Sequence, residues 1–318
     1  MLVKIRCVFL FVLGIIFCSG LFANDISGVY FDGDLLNSRI STYVKNVSLL
    51  TPDSATLQNI WSYVPKGRSG FIGIGVNGSV TFLDQRLASR ALDDAYSFGG
   101  KHNDLSNFPE TIPFLPGISF DIRGGYNRLD VGVYGMWLDE NILAEEVGAT
   151  FLGSSNAHFN YRSLGFDIRY VLFTEKEKTP AITVQGGYIF TWMGFGISSG
   201  DSEKVHTDFR NDSFFVSVQA TKGLPFIFTP YIGFKAIFSK TDSAYSWETK
   251  RPVMINGNSY LEGARYESGA NEGDFYTYLQ VYGGLGISFL FDHLMTLGVA
   301  YNVMSNHFCF NLAVRLIL

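Results

Sequence analysis

Phe308-Cys-Phe-Asn-Leu-Ala-Val-Arg-Leu-Ile-Leu318 alternates without a fault. Phe308, Phe310, Leu312, Val314, Leu316 and Leu318 are apolar. Between them, Cys309, Asn311, Ala313, Arg315 and Ile317 hold the segment's only charge and only amide. Successive strand side chains point to opposite faces, so the stretch reads as a strand with one apolar and one mixed-to-polar face.

The pattern recurs upstream from Phe71 onward. Ile72, Ile74, Val76, Val80 and Phe82 oppose Gly73, Gly75, Asn77, Ser79 and Thr81 in the first strand. Ile118, Phe120 and Ile122 oppose Ser119, Asp121 and Arg123, and Leu129, Val131, Val133 and Trp137 oppose Asp130, Gly132 and Tyr134. Further strands are expected over 164–172, 182–192, 214–221, 232–239, 275–291 and 295–303. The connections alternate long (83–113), short (125–128), long (139–158), short (174–180), medium (199–212), short (222–229), long (240–274) and short (291–294), before a tight turn near Ser305. Short turns on one side, longer loops on the other and an even strand count describe an all-β transmembrane antiparallel barrel of about ten strands; a miscount around the two longest loops would give eight or twelve. The 34 glycines, 29 phenylalanines and 17 tyrosines fit it, since aromatics cover the lipid-facing band and glycines let strands coil.

The chain divides into three parts. Residues 1–23 read as a secretory signal peptide: Lys4 and Arg6, an apolar run from Cys7 to Phe17 too short to span a bilayer, then small residues to Ala23. A lipoprotein signal acylated at Cys18 is the competing reading. Residues 24–68 carry helical spacing at Ile40, Tyr43, Val44 and Val47, and again at Leu57, Ile60, Trp61 and Val64, divided by Pro52. They are expected to form a short helical segment that plugs the lumen or packs under its periplasmic mouth. Residues 69–318 form the barrel.

The closing strand is similar to the C-terminal signal read by the bacterial barrel-assembly machinery, with Phe308, Phe310, Leu312, Val314, Leu316 and Leu318 as its apolar positions. That signal usually ends in Phe or Trp, where this chain has Leu318. The resemblance implies a Gram-negative or spirochaetal outer-membrane protein, with outer-membrane lipid and the assembly machinery as partners. It reaches no specific family. Omptin proteases are ten-stranded barrels with acidic residues and a histidine at the rim; His206, Asp208 and Asp212 invite the comparison, but no paired aspartates on an opposing strand complete such a site. Fatty-acid channels of the FadL type carry an N-terminal hatch, yet their Asn-Pro-Ala start is absent at Asn24-Asp25-Ile26.

Other motifs carry little chemistry. Gly73-Ile-Gly-Val-Asn-Gly78 fits a dinucleotide fingerprint, but alternation continues through it where that motif needs a helix. Cys309 is the only cysteine outside the signal peptide, which excludes an intramolecular disulfide, and the five histidines lack metal-ligand spacing. Net charge −5 argues against nucleic-acid binding. No nucleophile, base and oxyanion donor can be grouped, so neither an enzyme, a cofactor nor a metal is expected.

Phe120-Asp-Ile-Arg123 recurs as Phe166-Asp-Ile-Arg169, with Asp and Arg on the inward face of each strand. Charge on the lipid face costs about 2–4 kcal/mol near the midplane, so these residues belong in the lumen. With Asp130, Lys235 and Arg315 they are expected to form a cross-lumen ion network, and three acids against four bases imply no strong ion selectivity. About eight strands leave a lumen that side chains fill, whereas open channels need about 16. Many inward positions here are Gly, Ser, Thr or Ala, which suggests spare room. The expectation is a narrow or gated channel or transporter for small solutes, plugged by 24–68. The alternative is an adhesin or structural barrel acting through long surface loops. If 71 lies on the periplasmic side, a tag near Asn258 is reachable on intact cells and one near Glu177 is not; the opposite pattern breaks this orientation.

Overall fold

The computed structural model describes residues 70–84, 111–138, 155–199, 203–224, 227–255, 258–289 and 293–318, with twelve single positions from Asn37 to Trp61. The expected signal peptide and the middles of the loops at 83–113 and 139–158 lie outside the described residues. Single positions between 37 and 52 have helical backbone, but no helix is delimited among the described residues, so the expected helical segment over 24–68 is not supported as an element.

The strands are β1 Gly70–Asp84, β2 Thr111–Tyr126, β3 Leu129–Leu138, β4 Ser155–Phe173, β5 Ala181–Ser199, β6 Glu203–Thr221, β7 Phe228–Ile255, β8 Asn258–Asn271, β9 Phe275–Phe289, β10 His293–Asn302 and β11 His307–Ile317. Each neighbouring pair is antiparallel, and β1 pairs with β11 from Gly73↔Ile317 to Thr81↔Cys309. That pairing closes the sheet. Ten strands make the barrel. The eleventh, β8, pairs only with the upper half of β7, while β9 pairs with its lower half.

The faces are inverted relative to a water-soluble domain. Ile72, Phe120, Ile122, Val131, Leu164, Phe166, Phe214, Ile232 and Phe234 are exposed, and the outward side of β11 shows Phe308, Phe310, Leu312 and Val314. Leu316, beside them, is half-buried and Leu318 exposed. Inside, Asn77, Ser119, Asp121, Arg123, Thr183, Lys235, Gln280 and Arg315 are buried. Lipid is the solvent that this outer face fits.

Two expected connections are strand instead. The expected medium connection 199–212 is mostly β6, and the expected loop 240–274 is the hairpin β7–β8. The reason is visible in β7. Its outward side runs Ile232, Phe234, Ala236, Phe238 and then Lys240, Asp242, Ala244, Ser246, Glu248. Above residue 239 the outward side meets water in place of lipid, so the apolar outward face that marks a lipid-spanning strand stops while backbone pairing continues and the inward Tyr245 and Trp247 stay buried. Lys240 marks the boundary with ion pairs to Glu272 (3.1 Å) and Asp242 (3.5 Å), where β8 passes into β9.

At the opposite end the turns are tight. Asn127, in the turn between β2 and β3, takes φ 61°, the left-handed region that asparagine tolerates. Lys222 ties two neighbouring turns together, pairing with Glu175 (3.3 Å) and donating to the carbonyls of Lys176 and Glu177.

Arginine at Val216, mid-band on the lipid face, is expected to cost about 2–4 kcal/mol of folding stability. Arginine at Ala244, outward but above the boundary, should cost about 0–1 kcal/mol. Urea titrations of the barrel refolded in vesicles measure both, and equal costs would misplace the lipid boundary.

Candidate functional site

The site is the charged lumen. Arg123 on β2 forms ion pairs with Asp130 on β3 and Asp167 on β4, and Arg169 on β4 reaches Asp130 at 2.9 Å. On the other side of β1, Arg315 of β11 pairs with Asp121 of β2 at 2.8 Å. All six groups are almost wholly buried. Lys235 stands apart from both groups: it donates to the Thr56 carbonyl and faces the rings of Phe215 (5.0 Å) and Tyr282 (5.4 Å).

The seven residues are therefore brought inside together, but their ion pairs run along the wall and not across the lumen. Register supplies the reason. Arg123, Gly132 and Asp167 occupy one cross-strand row, and Arg315, Gly75 and Asp121 occupy another. In both, the middle residue is glycine. A Cβ at Gly132 would strike the Arg123 guanidinium, and one at Gly75 would strike Arg315 and Asp121. Arg123 thus reaches Asp167, and Arg315 reaches Asp121, two strands away through the gap left by a glycine. Removing one partner of a buried pair typically costs about 3–5 kcal/mol, because the other charge is left stranded.

The small inward residues consequently do not leave open space. Gly73 faces the Trp61 ring, Gly165 the Tyr134 ring and Gly187 the Phe215 ring, none with room for a Cβ. At this level the lumen is filled. The room left by small inward residues is taken up in part by large wall side chains, Tyr134 and Phe215, and in part by Trp61 of the segment expected to plug the lumen.

Trp61 joins the two ion groups. Its ring lies 4.4 Å from the Arg315 guanidinium and 5.2 Å from that of Arg123. Its carbonyl accepts from Arg169 Nη1 (3.2 Å) and Gln219 Nε2 (2.9 Å). Ile60, beside it, packs with Tyr231, Tyr282, Ala300 and Cys309. Farther back along the chain, the Asn37 amide oxygen accepts from Trp247 Nε1 at 3.3 Å. Trp247 lies on β7 well above the Lys240 boundary, whereas Trp61 sits against Gly73 near the start of β1. The described positions from Asn37 to Trp61 therefore pass through the barrel from its long-loop mouth to its turn side.

Sequence reasoning missed Gln219, Thr56 and the double stacking on Trp61. The only signal was Trp61 at the end of an apolar run; backbone carbonyl acceptors leave none. At the outer rim, His206 pairs with Asp208 (3.0 Å) and Asp212 accepts from the Tyr188 hydroxyl, both on the outward side of the strands. Among the described residues no cluster of three or more His, Cys, Asp or Glu side chains is arranged to hold a metal ion.

A closed antiparallel barrel, apolar outside and charged within, is an outer-membrane β-barrel. No family model and no curated sequence matches the chain. Solved structures resemble it in fold alone. The translocator domain of autotransporter NalP from Neisseria meningitidis is 12% identical, with 92% of this chain and 99% of that one covered, at a TM-score of 0.35. Outer membrane protease OmpT from Escherichia coli is 10% identical, covering 81% and 97%, at 0.39. The toluene transporter TbuX from Ralstonia pickettii is 6% identical, covering 85% and 92%, at 0.26.

With the long loops outside, Asn37→Cys should react with a membrane-impermeant maleimide on intact cells, whereas Thr56→Cys, beside Lys235, should be protected. Labelling at Thr56 with none at Asn37 would reverse the path through the barrel.

Proposed function

We propose that this protein is a gated channel for small solutes, held shut by the residues around Trp61. The observation that supports this reading is the way Trp61 is held. Two guanidinium groups lie over its ring, two donors reach its carbonyl, and a glycine stands opposite in place of a side chain. These contacts are polar and reversible. Apart from the chain running on into β1, the contacts described between this segment and the barrel wall are non-covalent. A wall that carries its charges in self-contained pairs stays intact when the segment moves.

Opening must break the two cation–π contacts, each worth about 2 kcal/mol when desolvated, as well as the carbonyl bonds. The closed state is accordingly the resting one. A signal that pulls on or competes with the segment shifts the balance, by an amount set by its differential affinity for the two states. A second reading, attachment through the cell-surface hairpin β7–β8, is favoured by that hairpin's rise above the lipid boundary. Conductance separates the two.

Trp61→Ala removes both ring contacts and should raise the open-to-closed ratio by up to about a thousandfold in planar bilayers. The unsubstituted chain should stay mostly closed. A folded Trp61→Ala barrel that never conducts would sink the channel reading and leave the surface-binding one.

A further inference from the structure

Resting on that channel reading, the geometry points to the solute class: we infer that Arg169, Gln219 and Lys235 form an anion site in the lumen. In the closed state the carbonyls of Trp61 and Thr56 occupy it in place of a solute carboxylate or phosphate.

Three observations converge. First, Arg169 Nη1 and Gln219 Nε2, from β4 and β6, meet on one oxygen, the Trp61 carbonyl, and Lys235 of β7 donates to the Thr56 carbonyl. Three strands thus aim donors at the backbone of the blocking segment. Second, Arg169 Nη2 is buried and has no hydrogen-bond partner, so the guanidinium has a donor to spare beside the one that Trp61 uses. A guanidinium fork takes a carboxylate or phosphate through two parallel bonds, where a single carbonyl accepts only one. Third, Gln219 is held with its nitrogen toward the site, because the Tyr282 hydroxyl donates to its oxygen at 3.4 Å and Thr221 Oγ1 accepts from Nε2 at 2.8 Å.

Register places the pieces. Arg169, Gln185, Ser217 and Lys235 lie on one continuous cross-strand row of inward, buried residues. The nearby carboxylates are already engaged: Asp167 by Arg123, Asp121 by Arg315, and Asp130 by both Arg123 and the Nε of Arg169, which leaves Nη1 and Nη2 of Arg169 outside that pair. When the segment withdraws, buried donors lose their acceptors, which is costly in a site of low polarity. An anion with two oxygens offsets that loss, and a cation or an apolar solute does not. The near balance of three acids and four bases therefore misleads, since pairing along the wall removes most of it from the solute's path.

The test uses the full chain carrying Trp61→Ala, or Trp61→Leu if the alanine variant fails to refold, in planar bilayers under a potassium chloride gradient. The reversal potential should show chloride favoured over potassium by roughly threefold or more. Inorganic phosphate in the bath should block the chloride current. Adding Lys235→Gln, or Gln219→Glu where the lysine variant is unstable, should lower the chloride preference severalfold and weaken the phosphate block. Current that prefers potassium, or that phosphate leaves untouched, overturns the anion site while the channel reading stands. Silence from a folded barrel overturns both.

Discussion

Everything else in this molecule depends on the pairing of Gly73–Thr81 with Cys309–Ile317. A sheet edge cannot face hydrocarbon, because each unpaired backbone group there costs several kcal/mol. Joining β1 to β11 removes both edges of the barrel at once. It also fixes which side of every strand is inside, since side chains alternate. After closure, apolar residues go outward by solvent choice and polar residues have only the lumen left. The one strand outside this closure, β8, lies above the lipid boundary, where water satisfies its free edge.

Closure creates the problem that the lumen solves. Three aspartates, three arginines and a lysine are buried in it, away from bulk water. They are tolerable because each arginine meets an aspartate: Arg169 meets Asp130 on the adjacent strand, and Gly132 and Gly75 let Arg123 and Arg315 reach Asp167 and Asp121 two strands away. Glycine here serves through the absence of its Cβ and not through backbone freedom. The cations that remain directed inward then fix the position of Trp61. Wall and blocking segment are therefore built for each other, yet are held together by contacts weak enough to exchange.

Much of the fold was legible along the chain. Each spanning strand shows period-two alternation because its two faces meet lipid and lumen, two environments with opposite preferences. The legible part ended where that contrast ended: residues 240–255 and 203–212 are paired strands whose outward side is polar, as water and not lipid allows, and their sequence looks like loop. The seven charges of the lumen were legible for the same reason as the strands, since charge has no place on a lipid face. Their partners were not. Asp167 and Arg123 are 44 residues apart, and Asp121 and Arg315 are 194 apart. Only register brings a glycine between them.

The sequence by itself determined that this is a membrane barrel, which residues face lipid, and which charges are enclosed. These follow from a local rule, the alternation of environment along each strand. The tertiary structure alone decided that the glycine gaps are filled, that ion pairs follow the wall, and that the carbonyls of Thr56 and Trp61 take donors from three strands. Those outcomes depend on which rows come level when the sheet closes, and on backbone oxygens that every residue carries alike. Alternation along one strand specifies a side. It cannot specify a neighbour, because stagger is a property of the closed ring.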